Sequence, residues 1–180
     1  TISLWNLETG KEIRVLTGHT DRIPGLAWHP KGGHLVSAGW DTTARVWDVS
    51  TGQPIMLYNS HAAQVTALAF SPQGNLLACA DSSPAIHLWD FTTHKAARIV
   101  SGPQGEIRLL AFSADGTYLA CGADRTLNVW EAASGATLAG AGPRSQTRTR
   151  LALSPSGKAL ATNSGGRATR LYSLPEGSPG

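Results

Sequence analysis

Two cysteines and a single methionine in 180 residues leave no material for a disulfide framework. Cys79 and Cys121 fall in different segments, so both read as small buried residues, and the expected location is reducing and intracellular, the cytoplasm. No apolar run approaches the roughly 18 residues that cross a bilayer, so no membrane association is expected. The opening TISLWNLETG lacks the basic-then-apolar order of a secretory signal. Charged residues make up only 15% of the chain. No stretch keeps a 3.6-residue apolar period, which leaves no helix and no glycine-rich phosphate loop opening one.

Charge is also short where nucleic acid would need it. The net +3 comes from 15 Lys/Arg and 12 Asp/Glu, and six of those basic residues lie after position 142 against one acidic residue, Glu176. The first 142 residues are therefore slightly acidic. One basic end without interleaved aromatics does not make a nucleic-acid surface.

What the sequence does have is a period. The stretch His34 to Val49, HLVSAGWDTTARVWDV, reads as two apolar strands around a polar turn, ending in Trp-Asp. Its tryptophan recurs as Trp5, Trp47, Trp89 and Trp130, and Tyr172 takes the place at the end, with steps of 42, 42, 41 and 42 residues. A spacing that regular marks a repeat protein. One cycle unrolls as GHTD-IPGLAW, HPKGG-HLVSAG, WDTT-ARVWDV and STGQ-PIMLY, four short strands with turn formers at each junction. The turn HPKGG returns as SPQGN, SADGT and SPSGK, each with glycine where a tight turn needs positive φ. Four-stranded sheets of this kind bury their apolar faces by stacking, which is the architecture of a β-propeller.

Gly18-His19, then LAWHPKGGHLVSAGWD, then Trp47-Asp48 resembles the WD40 repeat, and the resemblance runs through the whole chain. It implies an all-β propeller of four-stranded antiparallel blades, present as a partial ring. It places the last strand of each sequence repeat in the blade of the preceding three. Residues 22–59, 64–101 and 106–141 are then complete blades, 2–16 the end of a preceding blade, and 147–174 an incomplete last one. The ring is completed either by the rest of a longer protein or by self-association of two chains.

The resemblance also implies a hydrogen-bonded tetrad of His, Ser or Thr, Asp and Trp in each blade. The first blade has all four, as His19, Ser37, Asp41 and Trp47. The second keeps His61 and Trp89, with Cys79 and Ser83 at the other two places, so the aspartate is read as missing. The third keeps Asp124 and Trp130 but has Pro103 and Ala120. The fourth has Thr162, with Pro143, Gly166 and Tyr172 elsewhere. A Ser, His and Asp together are a catalytic combination on paper, but at this spacing they serve the structural tetrad, so no catalytic residue is expected. The remaining histidines show no close-spaced ligand pattern, so no metal and no cofactor is expected.

Partner contacts in this family flank the opening hydrophobe of the first strand or precede the turn aspartate. Carried over, they are Arg22, Pro24 and Trp40, then Gln64 and Thr66, then Glu106 and Arg108, then Thr147 and Thr149. Trp40 beside a turn aspartate is either an exposed anchor for a partner or packed on a neighbouring loop. Arg144, Arg148 and Arg150 form a basic patch that is either a solvated face or a seat for an acidic partner. The expected role is a non-catalytic scaffold presenting a rigid rim to a protein or peptide. The alternative is a regulatory or targeting propeller attached to an enzyme domain outside this chain.

Overall fold

The computed structural model describes residues 1–59, 61–123, 126–140, 151–154, 159–164 and 168–173. Every regular element in them is a strand, and every pairing is antiparallel. Strands β1 (Ile2–Trp5) and β2 (Glu12–Leu16) form a two-stranded sheet. Blade one is β3 (Gly25–Trp28), β4 (His34–Ala38), β5 (Ala44–Asp48) and β6 (Pro54–Tyr58). Blade two is β7 (Val65–Phe70), β8 (Leu76–Asp81), β9 (Ala85–Asp90) and β10 (Lys95–Ser101). Blade three is β11 (Ile107–Phe112), β12 (Tyr118–Ala123), β13 (Leu127–Glu131) and β14 (Thr137–Gly140). A three-stranded sheet follows, with β15 (Leu151–Leu153), β16 (Ala159–Ser164) and β17 (Ala168–Ser173). The result is a partial propeller of WD40-type blades.

Sequence explains the order of strands within a blade. The second strands carry small residues, SA, ACA and ACGA, and β4, β8 and β12 are buried almost throughout. Small side chains let one sheet be covered closely on both faces. The outermost strands, PIMLY and KAARIVS, bury few positions because one of their faces meets water. The first strands β3, β7, β11 and β15 run side by side along the inside of the array.

Each junction between sheets has its own core. Val36, Val46 and Tyr58 of blade one pack on Val65, Leu77, Trp89 and Phe91 of blade two. Ile86, Leu88 and Val100 pack on Ile107, Leu119 and Trp130 of blade three. Ile2, Leu4 and Leu16 cover Leu35 and Trp47. In the three complete blades the repeated tryptophan faces a leucine across the pair, as Leu35↔Trp47, Leu77↔Trp89 and Leu119↔Trp130, and the register of Leu160↔Tyr172 is the same. Trp5 occupies the matching position in the two-stranded sheet yet is 57% exposed, because that sheet has no inner strands to cover it.

Candidate functional site

Antiparallel order puts the β4–β5 turn and the segment leading into β3 at the same end of blade one. Four side chains converge there. His19 stands ahead of β3, Ser37 is in β4, Asp41 is in the turn and Trp47 is in β5. His19 Nδ1 lies 2.8 Å from Asp41 Oδ2, and its Nε2 lies 2.6 Å from Ser37 Oγ. Trp47 Nε1–H donates to the same Ser37 Oγ at 2.8 Å. The indole can only donate and the carboxylate can only accept, so Trp47 donates to Ser37 and His19 Nδ1–H donates to Asp41. Burial, acting against the pull of Asp41, holds the imidazole's pKa below the usual value, which favours the neutral ring. With the imidazole neutral, Ser37 in turn donates to His19 Nε2, and the chain runs unbroken from Trp47 to Asp41.

Asp41 is fixed from several sides. Its Oδ1 accepts from the Thr43 hydroxyl at 2.7 Å, and its Oδ2 also takes the Thr20 amide at 3.1 Å. Burial alone would raise its pKa, but the bonds from Thr43, Thr20 and His19 hold the carboxyl down at about 2. Gly39 makes the approach possible. A Cβ there would stand 2.2 Å from Asp41 Oδ1 and 2.4 Å from His19 Nδ1. The Ser–His–Asp order is not a hydrolytic triad, because Ser37 has no exposed surface and its oxygen already serves the indole.

Blade two departs from this plan in a way that corrects the sequence reading. Its aspartate is not missing but moved: Asp81, at the end of β8, occupies the place of Gly39, and Ser83 stands at the place of Asp41. In blade one the Asp41 carboxylate and the His19 ring fill the space beside Gly39, and in blade two the carboxylate is carried by the residue at that position itself. His61 Nδ1 lies 3.3 Å from Asp81 Oδ2, and Ser83 donates both its amide, at 2.9 Å, and its hydroxyl to Asp81 Oδ1. His87 Nε2, from β9, stands 3.6 Å from Asp81 Oδ2. The signal for Asp81 was present in the string CADSS, but a fixed 42-residue spacing points to Ser83 instead. Cys79 replaces Ser37, and with it the link is lost: Trp89 Nε1 and His61 Nε2 are both buried without a hydrogen-bond partner. Burial pushes the Cys79 thiol far up, so it behaves as an apolar group.

In blade three Pro103 and Ala120 are buried where the His and Ser would be, and Trp130 is buried by packing. Asp124 lies outside the described residues, as do Pro143 and Gly166. Tyr172 and Thr162 are in β17 and β16.

On the rim, Arg22 is exposed and its guanidinium carbon lies 5.1 Å from the centre of the Trp40 ring. The Trp40 amide donates to the Arg22 carbonyl at 2.8 Å, and Ser82 makes the same bond to Gln64 at 2.9 Å in blade two. Trp40 itself is half-buried, with its indole N–H unpartnered, and Pro24 and Gln64 are exposed. Thr66 is not a rim residue. It is buried and its hydroxyl donates to the Ile107 carbonyl at 2.6 Å, tying blade two to blade three. Glu106 and Arg108 form an ion pair at the corresponding edge of blade three. Thr147, Thr149, Arg144, Arg148 and Arg150 lie outside the described residues.

The family model described as "WD domain, G-beta repeat" matches residues 10–48, 52–90 and 95–131. Short stretches are similar to curated proteins. The Periodic tryptophan protein 2 homolog of Neurospora crassa is 44% identical over 45 residues, 25% of this chain and 5% of that protein. Its mouse counterpart is 40% identical over 45 residues, again 25% of this chain and 5% of the relative. The Lissencephaly-1 homolog of Caenorhabditis briggsae is 49% identical over 37 residues, 21% of this chain and 10% of that protein. The matched stretch thus spans a tenth or less of each of these relatives.

Proposed function

Because the chain belongs to the WD40 family, we propose that it is a non-catalytic interaction module that receives a protein or peptide on the rim carrying Arg22 and Trp40. The observation that carries this reading is the stacked pair itself. An exposed arginine lies over the ring of a half-buried tryptophan. Arginine and tryptophan are the residues that dominate binding energy at interfaces, and here both sit on a backbone fixed by the His19–Asp41 chain. A partner that covers the pair gains a large flat ring and a planar cation already held in place.

Ring completion belongs to the same reading. Leu26 and Trp28 of β3 are 51% and 54% exposed on the side of the two-stranded sheet, where inner strands would lie. Strands from elsewhere in a longer protein, or from a second copy, would cover them together with Trp5. The two cysteines, free and buried in separate blades, suit a reducing compartment such as the cytoplasm.

Affinity capture of proteins with the Arg22→Ala/Trp40→Ala chain, quantified against the wild type, tests the rim. Lys31→Ala, in the turn at the opposite end of blade one, is the control. Partners that fall away with the double variant and stay with Lys31→Ala are the predicted outcome. An identical set bound by all three chains would refute the rim assignment.

A further inference from the structure

We propose that His61, Asp81 and His87 form a binding site for a divalent transition metal of the zinc class. Among the described residues this is the one group of three metal-ligating side chains, with one atom of each within 4.8 Å of the others. The donors are two imidazoles and a carboxylate, the set that zinc and its neighbours take when thiolate is absent.

The distances favour coordination over hydrogen bonding. Asp81 Oδ2 is 3.3 Å from His61 Nδ1 and 3.6 Å from His87 Nε2. The first is long for a charge-assisted hydrogen bond, and the second is beyond one. Ligands bound tetrahedrally at about 2.0–2.1 Å from zinc stand roughly 3.3 to 3.5 Å apart, so the first spacing matches an edge of that tetrahedron and the second is slightly longer than one. The matching place in blade one draws the contrast. There the His19–Asp41 contact closes to 2.8 Å, and the residue in register with His87 is Arg45, whose guanidinium nitrogen sits 3.8 Å from Asp41. A fixed cation fills in blade one the corner that an imidazole leaves available in blade two.

The surroundings are those of a built site. Ser83 takes Asp81 Oδ1 with its amide and hydroxyl, leaving Oδ2 to face the two rings, the kind of outer bond that orients a ligand. The imidazoles sit edge to face with centres 4.5 Å apart. The side chains of His61 and Asp81 are 0% and 1% exposed, while that of His87 is 12% exposed and forms the entry. Three protein ligands leave a fourth position for water. The three residues come from the segment before β7, the end of β8 and the middle of β9. The ion would therefore join three elements in the one blade where Cys79 has broken the polar chain.

The purified chain, stripped with chelator, is titrated with Zn²⁺, and bound metal is counted after desalting. Melting temperature and the visible spectrum of the Co²⁺-substituted chain are read alongside. The expected result is one equivalent bound, a melting temperature raised by several degrees, and the intense visible bands of tetrahedral Co²⁺. His87→Arg copies the residue of blade one, so it should fold and melt like the stripped wild type while losing all three effects. His87→Gln should lose them too. A wild type that takes up no metal, or variants that bind as much as the wild type through His29, His34 and His94, would overturn the site.

Discussion

Ser37 Oγ accepts a hydrogen bond from the Trp47 indole N–H and bonds His19 Nε2, and a thiol in the same place is a weak partner for both. This atom, together with the carboxylate moved to Asp81, separates the closed chain of blade one from the broken one of blade two. Cys79→Ser should therefore engage Trp89 and His61 and stabilise the protein by about 1 kcal/mol, the usual net value of a buried hydrogen bond. Urea unfolding measures it, and a midpoint unchanged or lowered would show that the orphaned donors cost nothing. Acid should undo the first blade in two stages. His19 has its folded pKa depressed below 6.5, so the unfolded chain takes up the proton first, and its contribution is complete above that pH and lost as pH falls below it. Asp41, held at about 2 against an ordinary 3.8, contributes fully above the ordinary value and loses it as pH falls toward 2. The urea midpoint of the chelator-treated chain should be lower at pH 5 than at pH 7. A midpoint that rises instead would mean that His19 is charged against Asp41 in the fold.

At the scale of elements, the strands and turns were legible because their signals are local. Alternation marked the strands, and the turn glycines Gly32, Gly74 and Gly116 all adopt positive φ, of 73°, 77° and 79°. The second recurrent turn has glycine at Gly10, Gly52 and Gly135 but histidine at position 94, which takes φ of 58° all the same. A side chain in that region costs roughly 1 kcal/mol, and His94→Gly should recover about that much in urea unfolding, less whatever the ring contact with Phe91 supplies. A loss of stability would show that the contact outweighs the strain. The parts of the site that escaped the sequence are those decided across elements. Asp81 stands two residues ahead of the place of Asp41, where Ser83 has no carboxylate and donates to Asp81 instead, and spacing alone does not contain that. Thr66 stands in β7, two residues after the rim candidate Gln64, yet it is buried and its hydroxyl donates to the Ile107 carbonyl of the next blade. His87 looks like an ordinary strand residue until β8 brings Asp81 beside it.

Across the whole molecule, each sheet has its core only with its neighbours, so effects of substitution should stay near their origin. Fold class was readable for the same reason, since a period kept through the chain states the architecture before any one blade is understood. Partner and ring size are not carried by the repeat, which specifies the platform and leaves its ligand to rim residues such as Arg22 and Trp40. The His19–Ser37–Asp41–Trp47 chain is what holds that rim still. Amide hydrogen exchange, followed segment by segment in wild type and Asp41→Ala, tests it most directly. The prediction is faster exchange at residues 19–24 and 39–43, with blade three, Ile107 to Gly140, unchanged. Equal protection of those rim segments in both proteins would contradict it.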